Sequence, residues 1–148
     1  MNQPDIFRLI YRGHSKIPPA QLDAGLGDVL RVARANNTTK GITGALLVYE
    51  DWFAQTLEGE EEAVRSLYTH IEKDKRHDTV KILEEGKVSG RTFSRWAMAM
   101  VSEHGNPDIQ LAATATGVTE AASRSTTPEQ DRILNVMRDA TRGYGRGS

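Results

Sequence analysis

Cysteine is absent from the whole chain. That gap excludes disulfides, thiolate nucleophiles, zinc ribbons, iron–sulfur clusters and cysteinyl–flavin adducts. Long hydrophobic runs are missing too, since no stretch approaches the ~18 apolar residues of a membrane-spanning helix. The start, MNQPDIF, has neither the basic nor the hydrophobic region of a secretory signal. The expectation is a cytoplasmic protein. No sign of charge dominates: 19 Lys+Arg stand against 20 Asp+Glu, a formal net charge of −1, so no bulk attraction to nucleic acid or to an anionic membrane is implied. Neither a GxGxxG nor a GxxxxGK[ST] run occurs, so neither a dinucleotide fold nor a P-loop is suggested. His14, His70, His77 and His104 lack ligand-type partners at helical spacing, so no metal site is expected.

What is present is an ordinary globular balance, 38% hydrophobic and 26% charged over 148 residues, enough to bury a core without staples. Ile6–Tyr11 (IFRLIY) reads as a strand with Phe7, Leu9 and Tyr11 on one face. A loop containing Gly13 and the Pro18-Pro19 pair follows. Leu22, Leu26, Val29, Leu30 and Ala33 then form the apolar stripe of a helix, weakened by Gly25 and Gly27 at about 1 kcal/mol each. Ile42–Tyr49 (ITGALLVY) is apolar on both faces, as a well-covered strand is. Trp52–Glu58 (WFAQTLE) returns as its hairpin partner, with Tyr49 and Trp52 packed across the turn. After Gly59 an acidic start opens a second helix carrying Val64, Leu67, Tyr68 and Ile71 inward. Thr79–Leu83 and Phe93–Val101 are the remaining strands, the latter with Trp96, Met98 and Met100 on one face.

The order βαββαββ implies an α+β fold, a ferredoxin-like five-stranded mixed sheet with two helices on one face. Residues 106–142 read as helical: Asn106-Pro107 and Thr127-Pro128 both look like helix starts, and Gln130 completes a capping box with Thr127. These helices are expected to cap the sheet's second face or to mediate a dimer contact. The closing GYGRGS is expected to fray.

Two features stand out from this bland pattern. Gln55 occupies an inward row between Phe53 and Leu57, where a buried amide without partners costs on the order of 1–3 kcal/mol. It is either a core amide satisfied by backbone or one partner of Tyr11, which lies in the corresponding row of the first strand. Asn36 and Asn37 are either a helix C-cap followed by a turn, or one of their amides points into the same site and recognises an imide-like edge.

The segments RLIY at 8–11, ANN at 35–37, GITGALLVY at 41–49, FAQTLEG at 53–59, KDKRH at 73–77 and RWAMAM at 95–100 together resemble the BLUF family, blue-light sensors that use FAD, in its short form. The resemblance runs over roughly residues 5–101. It implies a flavin-binding sensor domain over 1–102 and a helical cap or output extension over 103–148. FAD would bind non-covalently between the two helices. Tyr11 would donate an electron and a proton to the photoexcited flavin, and Gln55 would relay the proton and end rotated or tautomerised. The rearranged hydrogen bond would give a small red shift that reverts in darkness. Asn37 would bind the polar edge of the ring, Asn36 would add a more distant contact, and Arg76 and His77 would lie near the pyrimidine side or the phosphates. Trp96 and Met98 would pass the change along the last strand to the C-terminal helices, and so to a downstream signalling protein or a homo-oligomer interface, with no nucleic acid, membrane or catalysis involved. Three features depart from the family pattern: the loop after Tyr11 is longer, Ala33 stands where some members have Ser, and Ala97 stands where Ser is common. The rival readings are a flavin-independent ferredoxin-like module for binding a partner, and an acylphosphatase-like hydrolase using Arg12 and an Asn.

Overall fold

Successive side chains of a strand point to opposite faces of its sheet, and this decides which residues of the first and third strands meet. The computed structural model describes residues 6–16, 33–49, 52–74, 77–93, 97–102, 109–110, 113–114, 117–118 and 128–143. The main sheet is built from β1 (Ile6–Ser15), β2 (Thr43–Tyr49), β3 (Trp52–Gly59), β4 (His77–Val88), β5 (Ala99–Ser102) and a two-residue edge strand, β6 (Ile109–Gln110). Its order is β4-β1-β3-β2-β5-β6. The first four strands pair antiparallel, and β5 joins β2 in parallel. The sheet is therefore mixed, with five principal strands, as the α+β reading expects. Tyr49 and Trp52 do stand opposite each other across the hairpin.

Helical residues 33–40 (α1) and α2 (Glu61–Glu72) belong to the two crossovers of this βαββαβ core. The first helix runs past Asn36 and Asn37, which overturns the reading of that pair as its cap. Gly41 ends it instead, with φ of 71°, a conformation glycine adopts without steric cost. Its N–H bonds the Thr38 carbonyl at 3.3 Å while the Ile42 N–H reaches back to the Asn37 carbonyl at 2.8 Å, the paired bonds of a glycine C-cap. In α2, Glu61 and Glu62 sit in the first turn, where the helix dipole favours them, and Val64 and Tyr68 are its buried residues.

Phe7, Leu9, Tyr11, Leu46, Leu57 and Met98 pack with Val64 and Tyr68 on one face. On the other, Ile10, Ala45, Leu47, Ala54, Ala99 and Val101 pack with Ile133, Leu134 and Met137, which belong to α3 (Pro128–Gly143). The central β2 contributes to both clusters, which is why it is apolar throughout. At Gly44 a Cβ would come within 1.9 Å of the Thr56 carbonyl oxygen, so only glycine lets β2 and β3 approach this closely.

Several boundaries differ from expectation. Strand β1 continues through Gly13 to Ser15 because it pairs with β3 and β4 along that length. Strand β5 begins at Ala99 rather than Phe93, since the carbonyls of Ala97 and Met98 are taken by side chains of α1. Helix does not fill 106–142: short strands occur at β6, at β7 (Ala113–Thr114) and at β8 (Gly117–Val118), the last two forming a separate hairpin. Gln130 donates to the Thr92 carbonyl at 2.7 Å. The Leu22–Leu30 stripe, Asn106-Pro107, Thr127 and the final YGRGS lie outside the described residues.

The α3 face holds a buried ion pair. Arg8 Nε donates to Glu58 at 3.1 Å, with 5% and 0% of the two side chains exposed. The Glu58 carboxylate also accepts the N–H groups of Thr92 at 2.8 and 2.9 Å and of Phe93 at 2.8 Å. Arg8 reaches Glu129 of α3 at 3.2 Å, and Arg132 bridges Glu129 and Glu84. Removing one partner of such a pair leaves an uncompensated buried charge. Glu58→Ala is therefore expected to cost about 3–5 kcal/mol in urea unfolding. Arg8→Met with Glu58→Leu should regain only part of that loss, because the Thr92 and Phe93 N–H groups stay unpaired.

The hydrogen bonds from Arg132 hold Glu84 and Glu129 below the usual carboxylate range. Because these values are lowered by folding, the unfolded chain takes up its protons first as pH falls. The stabilisation is full above the ordinary range of about 4–4.5 and is lost as pH drops through the lowered values. Arg132→Ala should flatten the acid limb of thermal stability measured from pH 7 to pH 3.

Candidate functional site

Antiparallel pairing sets Tyr11 of β1 directly opposite Gln55 of β3, and Gln55 in turn opposite Leu46 of β2. All three side chains face the α2 side, so the row that looked anomalous in the sequence becomes a contact. The Tyr11 hydroxyl donates to Gln55 Oε1. The Gln55 amide then donates from Nε2 to Met98 Sδ at 3.3 Å. A phenol, a primary amide and a thioether thus form one hydrogen-bonded chain across the sheet.

The orientation of the amide follows from its neighbours. Sulfur in a thioether can only accept, so the NH₂ end of Gln55 belongs on Met98 and the carbonyl end on the phenol. Turning the amide over would leave its N–H on the phenol oxygen but set two acceptors, Oε1 and Sδ, against each other. The observed arrangement satisfies both neighbours of the amide.

Tyr11 is 1% exposed. Its ring meets Phe53 edge-on at 5.9 Å and Tyr68 at 5.3 Å between centroids. Burial, with a smaller contribution from Tyr68, pushes its phenol above the ordinary tyrosine range, so the proton stays on Tyr11 at neutral pH.

Asn37 is buried and donates from Nδ2 to the Ala97 carbonyl at 2.9 Å, one residue from Met98. The structure thus brings Tyr11, Gln55, Met98 and Asn37 into one neighbourhood. Asn36 is exposed. His77 begins β4 opposite Ser15, at the far end of β1 from Phe7. Arg76 and Trp96 lie outside the described residues. Arg12, proposed for the hydrolase alternative, is 3% exposed and donates to the Thr79 carbonyl at 2.7 Å. It is a buried cation bonded to backbone.

Sequence reasoning missed Arg34, whose Nε donates to the Met98 carbonyl at 2.9 Å. Its signal was its place three residues before Asn37, on the same side of the helix. Reasoning from the sequence also missed the Arg8–Glu58 pair, although the register that sets Tyr11 opposite Gln55 sets Arg8 opposite Glu58.

The donor set suits a flavin. Gln55 and Asn37 are neutral amides that both donate and accept, which matches the alternating carbonyl and N–H groups of an imide edge. Beside them lies an oxidisable phenol. Among the described residues no group of acidic, histidine or cysteine side chains could hold a metal.

With the phenol so deeply buried, alkaline titration should leave Tyr11 protonated until the chain unfolds. Tyr11→Phe is therefore expected to leave the tyrosinate absorbance gained before unfolding unchanged in an alkaline titration followed by ultraviolet absorbance.

Comparison with known proteins bears on the same residues. The profile of the BLUF family, sensors of blue light using FAD, matches residues 6–99. Photoactivated adenylate cyclase subunit beta of Euglena gracilis is 34% identical over 96 residues, covering 64% of this chain and 11% of that protein. The chain therefore spans about a tenth of that relative's length. Among solved structures, the dark state of the BLUF protein BlrB superposes with a TM-score of 0.61 at 25% identity, over 89% of this chain and 86% of that one. Klebsiella pneumoniae BlrP1 with FMN and cyclic diGMP gives 0.69 at 32% identity, over 95% and 36%. The matched region is a flavin photosensor module, not a catalytic one.

Proposed function

Since the chain belongs to the BLUF family, sensors of blue light using FAD, we propose that it is a blue-light photoreceptor that binds FAD non-covalently and signals to a partner protein. The hydrogen-bonded chain Tyr11–Gln55–Met98 is the observation that carries this reading. Residues 1–102 would form the sensor, and 103–148 the cap and output extension. Homo-oligomer contacts and a cytoplasmic location complete the proposal; among the described residues no helix is long and apolar enough to cross a membrane.

Bound flavin supplies the blue-light absorption and the excited-state acceptor for the Tyr11 electron. Asn37 and Gln55 would hold its polar edge, with Asn36, Arg76 and His77 as more distant contacts. Tyr11 would release its phenolic proton to Gln55 Oε1, the atom its hydroxyl already meets, while the Gln55 amide would give up an N–H proton in relay. Electron and proton both return to Tyr11, so no net oxidation remains. Gln55 is left turned or tautomerised, with its NH₂ off the Met98 sulfur. Relief of that contact would pass to Met98, Trp96 and β5, which pairs with β2, and from there to the C-terminal helix. A partner-binding module without flavin would give the buried phenol–amide–thioether chain no role.

Purified protein is expected to be yellow, to release FAD rather than FMN on chromatography after denaturation, and to show a small reversible red shift after a blue flash. Tyr11→Phe and Gln55→Leu should retain the flavin and lose at least about tenfold in the amplitude of that shift. A normal shift in either variant would remove that residue from the mechanism, and a colourless protein that refuses added FAD would favour the partner-binding module.

A further inference from the structure

Two side chains of the first helix seize two successive carbonyls just before β5. Asn37 Nδ2 takes that of Ala97 and Arg34 Nε that of Met98, each at 2.9 Å. Ala99, the next residue, enters the ladder opposite Ala45. The backbone of Met98 is thereby fixed between a helix and a strand. Its side chain is fully buried and ends with its methyl close to Gly44, where a Cβ would lie 3.4 Å from Met98 Cε. Arg34 thus bonds the backbone of the residue whose sulfur accepts from the Gln55 amide.

We propose that Arg34 is a positioning residue: by anchoring the Met98 carbonyl it holds the thioether where it selects the dark orientation of Gln55, and so sets the rate of return to darkness. The proposal rests on the blue-light reading above. A guanidinium donates a charge-assisted hydrogen bond, stronger than the neutral one from Asn37. Without it the sulfur is no longer presented at one place, and the returning amide loses the acceptor that favours its dark orientation.

Arg34→Ala and Arg34→Gln should keep bound flavin and the flash-induced red shift while slowing dark recovery at least about fivefold. Arg34→Lys, which keeps the charge on a different donor geometry, should lie between them and the native chain. Thr39→Ala, on the same helix and bonded only locally to Ala35, should recover at the native rate. A second readout needs no light. In protein labelled with ¹³C at the methionine methyls, the Met98 resonance, assigned by its loss in Met98→Leu, should shift or broaden in Arg34→Ala both with and without flavin, and stay unchanged in Thr39→Ala. Native recovery together with a native Met98 resonance in Arg34→Ala would overturn the proposal. A changed resonance with native recovery would also overturn it, because anchoring would then not govern the return. If the native protein shows no flash-induced shift, the sensor reading fails and the recovery claim with it, whereas native shifting with unresponsive Arg34 variants defeats this inference alone.

Discussion

The register between β1 and β3 is the constraint on which the rest depends. A strand alternates its side chains, so one pairing offset fixes two sets of partners at once. With Tyr11 opposite Gln55 on the α2 face, Arg8 is necessarily opposite Glu58 on the α3 face. A slip of one residue would turn the phenol and the amide to opposite sides and break the ion pair in the same step. Two cross-strand pairs of different chemistry therefore protect one alignment from both sides of the sheet.

The two faces use polarity differently. On the α3 side, full charges are buried and saturated: the Glu58 carboxylate receives Arg8 and two backbone N–H groups, an arrangement with one good solution. On the α2 side the Tyr11–Gln55–Met98 chain is neutral. Turning its amide over would strand no charge. Rigid ionic anchoring behind the sheet and a neutral, reorientable network before it suit a sensor whose scaffold stays fixed while one side chain turns.

The chain between these faces links them. Glu58 grips Thr92 and Phe93, and Gln130 of α3 holds the Thr92 carbonyl, while α1 grips Ala97 and Met98. On β3 itself, Gln55 donates to the Met98 sulfur on one side and the next residue, Thr56, donates to the Met137 sulfur of α3 at 3.3 Å on the other. Adjacent residues of β3 thus link the Tyr11–Gln55–Met98 chain and the C-terminal helix.

Sequence alone determined the strand and helix order of the core, because period-2 and helical patterns depend only on neighbours along the chain. Gln55 stood out because an amide in an apolar row is costly without a partner, and the motifs around it resembled a flavin-binding family that the matches bear out. Only the tertiary structure decided the rest. Asn37 became a buried donor inside the helix once Gly41, rather than the Asn pair, took the left-handed cap. Ala97 and Met98 stand outside β5 with their carbonyls bonded to α1, a competition invisible to local propensity. The C-terminal region acquired short strands where capping signals had pointed to helix. Arg34 and Glu58 look in sequence like surface charges. Their roles depend on which carbonyl and which cation lie across a gap of dozens of residues, and that is a property of packing, not of spacing.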